Sequence, residues 1–467
     1  MNDLFSSRDC DLAIVGGGAA GVLVAIQLLR QARAALRIVL LEPAAVLAQG
    51  VAYATDRDEH WLNVPAGGMS AFAEQPGDFV AFLRGLPEFA DMADPVLAQG
   101  YVARRHYAHY LRERLRQAQR ESVAQLEVIH DRVLALDKGA SGLRLSLSGG
   151  VVQAGGMALA VGNALRPLPA RGATSLPAHQ SIEAWDSSAL ANIAADSAVC
   201  IVGSGLSMVD AVVTLGARAH HGPLHVISRH GLMPLPHALG DSVELDVPAL
   251  LAAPLRTRLR MLRTQVRAVT ARGLPWQALM EALRPHGQVL WRSLAQADQR
   301  RFLRHLVRYW DVHRHRIAPQ IHARLAALRA SGQLRIHRAR LDTVFPVGAC
   351  VQLSARTATG RVLQLDAHQV INATGVEMRV QAMRNPLLQQ LLGMGYAVVG
   401  PHGIGVDTDD AGCLLDADGR ADPHIHVVGS LRIGRLWESL AIPELREQAQ
   451  AAALALLTLD LPEPQKS

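Results

Sequence analysis

A short glycine-rich stretch in this chain has the spacing that a phosphate-binding turn requires. The stretch, Gly16-Gly17-Gly18-Ala19-Ala20-Gly21, follows the apolar run of residues 11–15 and precedes a helical pattern over residues 22–33. In such a turn the first glycine permits a tight bend and the second lets the backbone approach a pyrophosphate. The third lets the helix pack close to the sheet. The N–H groups and dipole of the helix N-terminus then attract the phosphates.

The segment after this helix completes a nucleotide-binding pattern. A second apolar run, residues 36–41, ends in Glu42. An acid at this place accepts hydrogen bonds from a ribose hydroxyl. The pattern predicts a site for the ADP half of a dinucleotide, and its position near the N-terminus favours FAD over NAD. The predicted FAD ligands in this segment are Gly16, Gly18, Ala19, Ala20, Gly21 and Glu42.

A second glycine turn follows the apolar run of residues 198–202. Met208 replaces its third glycine, so we expect helix and sheet to lie slightly further apart here. The next predicted strand, residues 224–228, is followed by Arg229, which could bind the 2′-phosphate that an acid would repel. This favours NADPH, although NADH stays possible if Arg229 only stacks on adenine. The predicted NAD(P)H ligands are Gly203, Gly205, Leu206, Ser207 and Arg229.

Three further apolar runs end in glycine and predict how the chain is organised. They end at or near Gly162, Gly375 and Gly429, which we expect at the FAD site, and a predicted helix at 443–458 follows the third. The fold class is therefore α/β, with two Rossmann-like dinucleotide-binding domains, the second inserted in the first. The predicted FAD domain consists of residues 1–175 and 366–467. The predicted NAD(P) domain, residues 176–365, carries a helical insertion at about 241–329.

Composition narrows the possible function. The formal net charge is +6 on 467 residues, with only two lysines, Lys138 and Lys466. This modest charge suits anionic ligands and does not predict binding to nucleic acid. The arginine-rich runs at 256–267 and 300–316 are expected to be mostly solvated helix faces. We expect no metal site and no redox-active thiol pair, because the four cysteines are far apart.

The apolar stretch at 12–29 is long enough to resemble a membrane span. The glycine cluster in its middle instead predicts a strand, a turn and a helix. We therefore expect a protein that is cytoplasmic and not bound to a membrane. The sequence does not predict an oligomeric state.

Longer stretches carry a family resemblance. They are residues 50–53 with 61–65, residues 203–210 with 227–231, residues 309–319 and residues 436–446. Over nearly the whole chain the sequence resembles a bacterial flavoprotein family that includes FAD-dependent urate hydroxylase and an aspartate N-monooxygenase. The length is most similar to the urate hydroxylase branch. The resemblance implies a monooxygenase that uses FAD, NAD(P)H and O2 to convert urate to 5-hydroxyisourate in purine degradation.

The implied anionic substrate requires a cationic clamp. Arg314 and Arg316, with His313 and His315, form a dense cationic segment after Trp310 that could bind the substrate or the nicotinamide dinucleotide. His313 or His315 could act as a base. A charged helix end that pairs with acidic residues remains an equal alternative.

Other candidates lie where the family fold approaches the flavin. Arg432 and Glu438 are predicted to contact the reacting groups, and Trp437 between them is either a contact or a core residue. Asn63 is expected to hydrogen-bond the flavin, with a turn cap as the alternative. Tyr53 could be a packed core ring.

Two other functions remain open. N-hydroxylation of an amino acid such as aspartate would need a clamp for the α-carboxylate. A flavin-bearing redox sensor or partner-binding protein belongs to a different class. The well-formed second glycine turn argues against that class, because a binding module need not keep it.

Overall fold

The computed structural model describes residues 7–139 and 142–460. Within these residues the chain forms two compact units. Unit 1 comprises residues 7–56, 65–139, 142–165 and 377–460, and unit 2 comprises residues 57–64 and 166–376. Both ends of the described chain thus belong to unit 1, and unit 2 is inserted between them.

The first part of unit 1 alternates strands and helices. Residues 12–15 of its first strand are at most 4% exposed, because a strand in a parallel sheet is buried on both faces and therefore reads as a continuous apolar run. The elements are β1 (Ser7–Val15), α1 (Ala19–Gln31), β2 (Arg37–Leu41), α2 (Asp78–Arg84), α3 (Asp94–Gln99), α4 (Arg104–Glu121), β3 (Gln125–Ile129), β4 (Val133–Gly139), β5 (Gly142–Leu147), β6 (Val151–Leu159) and β7 (Ala164–Leu165).

Unit 2 repeats this alternation and adds seven consecutive helices at 247–330, where the helical insertion was predicted. The elements are β8 (Ser181–Glu183), α5 (Ser187–Ala191), β9 (Val199–Val202), α6 (Leu206–Ala217), β10 (Leu224–Ser228), α7 (Val247–Ala252), α8 (Leu255–Ala271), α9 (Gln277–Leu283), α10 (Gly287–Arg292), α11 (Gln296–His305), α12 (Val307–Arg314), α13 (Pro319–Ala330), β11 (Leu334–Val347), β12 (Cys350–Thr357), β13 (Val362–Ala367) and β14 (Gln369–Asn372).

The chain then returns to unit 1 through β15 (Val376–Glu377). Its remaining elements are α14 (Pro386–Gly393), β16 (Cys413–Leu415), β17 (Ala421–Val427), α15 (Ile433–Leu436) and α16 (Ile442–Leu457). Short 3-10 helices lie at Ala66–Gly68, Pro87–Phe89, Ala173–Ser175, Arg284–His286, Val380–Ala382, Pro401–Gly403 and Ser430–Arg432.

Each unit is built on a mostly parallel sheet. In unit 1 the strand order is β16-β17-β6-β1-β2-β3, with β5 and β4 continuing antiparallel from β6. In unit 2 the order is β13-β12-β11-β10-β9-β14-β8, in which β12 and β13 are antiparallel. The five parallel strands β3-β2-β1-β6-β17 thus correspond to β11-β10-β9-β14-β8. The predicted fold class, two Rossmann-like domains in an α/β protein, is confirmed.

The apolar stretch at 12–29 is a strand, a turn and a helix, as predicted. Ten of the thirteen residues of α1 are buried, so its hydrophobicity reflects core packing. In the part of the chain that the structure describes, no helix is both long enough and apolar enough to cross a membrane.

The unit boundaries differ from the expected ones. The first crossing lies after Leu165 instead of residue 175, and the chain returns after Val376 instead of residue 365. The second difference arises because β14 pairs in parallel with β9 and β8, which keeps it in unit 2. Residues 57–64 also belong to unit 2, where the His60 ring hydrogen-bonds the Thr214 hydroxyl at 2.7 Å. The sequence gives no local sign of that contact.

Candidate functional site

The first glycine turn joins β1 to α1 and is closely confined by backbone. Gly16 has φ +107°, and a Cβ built on it would lie 2.3 Å from the carbonyl oxygen of Ala160. A Cβ on Gly21 would lie 1.8 Å from the carbonyl oxygen of Gly16. By contrast, the nearest atom to a Cβ on Gly18 is 3.5 Å away, on Gly50. The first and third glycines are therefore required by the fold, whereas Gly18 leaves an open approach to its backbone.

The start of α1 offers unpaired donors to an anion. The helix begins at Ala19, its N-cap is Gly18, and no side chain caps it. The first N–H groups of a helix lack intrahelical partners and carry partial positive charge. Ala19, Ala20 and Gly21 form this first turn, so the predicted pyrophosphate ligands lie together in unit 1.

Two later glycines converge on the same turn. Gly429 has φ +92°, and a Cβ on it would lie 3.5 Å from the Cβ of Ala20. Its N–H donates to the side-chain oxygen of Gln448 at 3.0 Å, and the Ser430 hydroxyl donates to the carbonyl of Gly162 at 2.7 Å. Gly162 and Gly429 thus meet beside α1. Gln448 and Ser430 could not be identified from the sequence, because Ser430 contacts a residue 268 positions away and Gln448 contacts the chain across a turn and a helix.

Glu42 lies at the end of β2, where the ribose contact was predicted. Its carboxylate accepts backbone hydrogen bonds from Gly17 at 2.7 Å and Ala44 at 2.9 Å. The acid therefore ties the glycine turn to the end of β2. A carboxylate has about four lone-pair sites, so these two bonds leave acceptor capacity for a ribose hydroxyl.

The second glycine turn repeats the geometry of the first. Gly203 has φ +109°, and a Cβ on it would lie 2.1 Å from the carbonyl oxygen of Ala373. Gly205 is the uncapped N-cap of α6, and no atom lies within 4 Å of a Cβ built on it. Leu206 and Ser207 open the helix, and Met208 is fully buried below them. The site is therefore open above the helix N-terminus, as a pyrophosphate site requires.

The predicted FAD ligand Gly375 lies in unit 2, not in unit 1 with the first turn. It follows β14, whose end borders the second turn through Ala373. Arg229 follows β10, also in unit 2, and is exposed. Burial, then Arg308, Arg166 and Arg340, lower the pKa of its guanidinium. This end of the sheet therefore carries concentrated positive charge.

The cationic segment after Trp310 is more buried than a solvated helix face would be. Arg314 ends α12 and is buried, and the backbone N–H of His315 donates to the carbonyl of Asp311 at 2.8 Å. The His313 ring lies 4.9 Å from the ring of Trp276 and donates from Nδ1 to the carbonyl of Tyr309 at 2.7 Å. These side chains thus belong to the packed helical insertion of unit 2.

Arg316 is the most enclosed arginine of that segment. It is 3% exposed, ion-pairs with Glu281, and lies 6.0 Å from the centre of the Trp276 ring. Within the described residues, its Nε and Nη1 have no hydrogen-bond partner. A buried guanidinium in this state is costly unless an anion can reach it. The sequence indicates Arg316 as one of the cationic residues of this segment, whereas its burial is evident only from the structure.

Arg432 and Glu438 lie in unit 1 and are both buried. A Cβ on Gly412 would lie 2.9 Å from Nη1 of Arg432, so the guanidinium packs on that loop. Between them Trp437 has φ +63° and ψ −59°, and the Glu438 N–H donates to the Leu436 carbonyl at 2.8 Å. This is a γ-turn of the rare, strained kind. Such strain costs about 1–3 kcal/mol and is concentrated at functional sites.

The last two candidates have structural contacts. The backbone carbonyl of Asn63 accepts a hydrogen bond from Nε2 of His237 at 2.8 Å, within unit 2. Burial, followed by the charge of Arg316, lowers the pKa of His237, so this ring is neutral near pH 7 and donates to Asn63. Tyr53, in unit 1, packs on Tyr107 with ring centres 4.9 Å apart, which agrees with a core ring.

Comparison with known proteins supports the assignment of the first site. Residues 13–164, about a third of the chain, match the family model described as FAD-NAD(P)-binding. This region contains the whole of the first glycine turn, Glu42 and Gly162. A sequence search among curated proteins gives no significant match.

Solved structures of similar fold include an ornithine N-hydroxylase and two monooxygenases. The ornithine N-hydroxylase of Kutzneria sp. 744, with reduced FAD, NADP+ and L-ornithine, has a TM-score of 0.66 at 14% identity, covering 96% of this chain and 99% of that chain. L-lysine 6-monooxygenase from Pseudomonas syringae gives 0.66 at 15%, covering 96% and 99%. The cadaverine monooxygenase of Erwinia amylovora, bound to FAD, gives 0.66 at 11%, covering 98% of each chain. At these identities the similarity establishes the fold.

Proposed function

We propose that this chain is an FAD- and NAD(P)H-dependent monooxygenase that N-hydroxylates a small amine carrying a carboxylate. The observation that carries the proposal is the pair of open, uncapped glycine turns at Gly18 and Gly205, one in each unit. Each turn can hold one pyrophosphate. FAD in unit 1 would supply the oxygen-activating chemistry once reduced, and unit 2 would hold the coenzyme that reduces it.

The cysteines argue against a disulfide reductase built on the same fold. The four cysteines of the sequence are all free in the structure. Burial raises the pKa of Cys10 and of Cys200 to about 12 and that of Cys413 to about 11. A thiol must ionise to attack a disulfide. These three groups stay protonated and unreactive near neutral pH.

Arg316 is the candidate that would bind a substrate carboxylate. Its buried Nε and Nη1 donors have no partner within the described residues, whereas Nη2 pairs with Glu281, so Nε or Nη1 could each donate a charge-assisted hydrogen bond to a substrate carboxylate. Glu281, whose side chain is half-exposed, adds an acceptor for an amine N–H. This combination of an arginine and an adjacent carboxylate suits an amino acid. Arg314, His315, Arg432 and Glu438 remain proposals for contacts with the reacting groups.

The choice of an amine over urate has a separate support. The ornithine, lysine and cadaverine enzymes named above share this chain's fold over nearly their whole length. Urate hydroxylation remains a second candidate, because residues 309–319 and 436–446 resemble the family that includes urate hydroxylase and the length is most similar to that branch. Arg316 with Glu281 could also bind the urate anion and one of its ring N–H groups.

Product analysis tests the proposal. The purified, FAD-loaded protein is incubated with O2 and NADPH beside amino acids, among them aspartate, ornithine and lysine, beside the diamine cadaverine, and beside urate. We expect one carboxylate-bearing amine to gain one oxygen on nitrogen by mass spectrometry, with matching NADPH consumption. Loss of urate absorbance without amine oxidation would favour the second candidate. Slow NADPH oxidation that no compound stimulates would contradict both.

A variant pair tests the carboxylate contact. Arg316→Gln should raise the KM for the carboxylate substrate roughly 10- to 150-fold, the equivalent of one lost charged hydrogen bond of about 1.5–3 kcal/mol. Flavin reduction by NADPH should be unchanged. Arg324→Gln, on the exposed face of α13, removes the same charge and should leave KM unchanged. Equal KM values for the two variants would contradict a role for Arg316 in binding.

A further inference from the structure

One helix of the insertion in unit 2 lies beside the end of β10. The ring of Tyr309, in α12, is 6.5 Å from the ring of His230, which follows Arg229. Tyr309 is 50% exposed although its neighbours in α12 are partly buried. An aromatic ring in this state offers a free face to a planar group. The helical insertion therefore contributes directly to the surface at the end of β10.

The same helix brings a second arginine to that surface. The positive charge of Arg308 lies near both Arg229 and His230, since it lowers the pKa of each. Every charged neighbour that shifts the pKa of Arg229 is another arginine. Within the described residues, Asp311 pairs with Arg308 through Nη1 at 2.8 Å, and no other hydrogen bond of Arg308 is present. The Nε and Nη2 donors of Arg308 are thus available to another anion.

This cationic surface is fixed relative to the second glycine turn. The Ser204 hydroxyl, within that turn, bonds the Ser228 hydroxyl at 2.8 Å and the Leu232 carbonyl at 2.5 Å. These bonds hold the segment that contains Arg229 and His230 against the turn. In a Rossmann unit the residue after the second strand meets the adenosine ribose, while the turn holds the pyrophosphate. The arginines therefore lie where the 2′ position of the ribose would be.

We propose that Arg229 and Arg308 together bind the 2′-phosphate of NADPH, with the adenine stacked on Tyr309. The helical insertion thereby selects NADPH over NADH. This inference rests on the proposed function only in assigning a nicotinamide coenzyme to the second glycine turn. Arg166 and Arg340 add to the positive potential without being required as direct ligands. A guanidinium pair suits a phosphate dianion because its donors form charge-assisted hydrogen bonds.

Calorimetric titration of the full, FAD-loaded protein tests the assignment without relying on turnover. The three probes are 2′,5′-ADP, 3′,5′-ADP and 5′-ADP. We expect 2′,5′-ADP to bind at least roughly tenfold more tightly than the other two, and its advantage to shrink as salt rises. Equal binding of 2′,5′-ADP and 5′-ADP would overturn the proposal. Tighter binding of 3′,5′-ADP would also overturn it, since that result indicates a site for a 3′-phosphate.

Variants separate the two roles. Arg308→Gln should weaken 2′,5′-ADP roughly tenfold and leave 5′-ADP within about twofold. Tyr309→Ala should weaken both nucleotides by a similar factor, because stacking does not depend on the phosphate. Arg304→Gln removes an exposed arginine of α11 and serves as the charge-matched control. If Arg308→Gln and Arg304→Gln weaken 2′,5′-ADP equally, the site does not include Arg308.

The result of the nucleotide titration does not depend on whether the protein oxidises an amine. A protein that prefers 2′,5′-ADP through Arg308 but oxidises no amine would retain this inference and lose the proposed function. A protein that oxidises an amine with NADH and NADPH equally, and that binds 2′,5′-ADP and 5′-ADP equally, would retain the proposed function and lose this inference. Thermal melting of each variant checks that the fold is intact, since the partly exposed Arg308–Asp311 pair contributes little to stability.

Discussion

The two units share the same arrangement of strand, glycine turn, helix and strand, but a residue of opposite charge follows the second strand in each. In each, the first glycine packs against a carbonyl of a neighbouring segment, Ala160 beside Gly16 and Ala373 beside Gly203. In each, an uncapped helix follows. The strand after that helix is followed by Glu42 in unit 1 and by Arg229 in unit 2. The geometry of the predicted pyrophosphate site is thus common to both units. The residue after the second strand differs in charge: an acid suits a ribose hydroxyl, whereas an arginine suits a ribose phosphate.

The third position of the turn also differs. Gly21 has no space for a side chain, because its Cβ would overlap the carbonyl oxygen of Gly16. Met208 occupies the same position in unit 2 and is fully buried. The close contact between the helix and the glycine turn is therefore a property of unit 1, and such a turn does not require it in general.

Placing methionine at position 21 and glycine at position 208 should have the largest effect on stability. Gly21→Met should prevent unit 1 from folding, because the 1.8 Å overlap is with backbone; we expect a loss above about 4 kcal/mol. Met208→Gly should fold with a loss of about 2–5 kcal/mol from the cavity. Thermal melting measures both. Gly216→Ala, where a Cβ meets no atom within 4 Å, is the control and should be nearly neutral. A stable Gly21→Met variant would contradict the difference between the turns.

The second glycines should separate the two coenzymes. Gly18→Val should fold but purify without yellow colour, because the side chain fills the approach to the pyrophosphate. Gly205→Val should remain yellow but resist reduction by NADPH. Absorbance at the flavin band, before and after anaerobic NADPH addition, measures both variants. If Gly205→Val loses FAD or Gly18→Val keeps it, the assignment of the two turns is wrong.

Glu42 should matter less than the glycines. Glu42→Gln keeps one amide oxygen as acceptor but loses the charge that holds the backbone of Gly17 and Ala44. We expect FAD to bind roughly 5- to 30-fold more weakly, about 1–2 kcal/mol, as measured by flavin titration of the apoprotein. Arg229→Gln should leave the FAD affinity unchanged. Equal effects of these two variants on FAD would remove the distinction between the units.

Acid should affect unit 2 through a histidine pair, with the smallest expected change. The rings of His225 and His337, on β10 and β11, are stacked with nitrogens 3.0 Å apart. Burial lowers the pKa of both, and Arg335 lowers it further for each. Below about pH 6.5 the unfolded chain therefore binds protons that the folded chain does not, so stability falls as pH falls.

The double variant His225→Gln/His337→Gln should flatten this dependence between pH 6.5 and the lowered folded pKa values. The change should stay well under about 1.4 kcal/mol per pH unit for each histidine, because both rings are only half-buried. Denaturant unfolding at several pH values measures it, with the exposed His179→Gln as control. An unchanged slope in the double variant would show that the pair does not titrate differently on folding.

The parts of the fold that could be predicted are those determined locally. Gly16 and Gly203 follow apolar strands and precede helices, so their turns are evident from sequence alone. The position of β14 between β9 and β8 could not be predicted, because strand order depends on pairing across nearly 200 residues. The same holds for residues 57–64 in unit 2 and for Arg308 beside Arg229. The charge of Arg316 could be read, whereas its burial could not.

We propose that unit 1 binds FAD and that unit 2 binds the coenzyme that reduces it. The most direct measurement is an anaerobic titration of the purified protein with NADPH, followed by the flavin absorbance. We expect about one FAD per chain, with the flavin absorbance bleached by about one equivalent of NADPH and recovered on admission of O2. A colourless protein that does not take up FAD, or a bound flavin that neither NADPH nor NADH reduces, would contradict it.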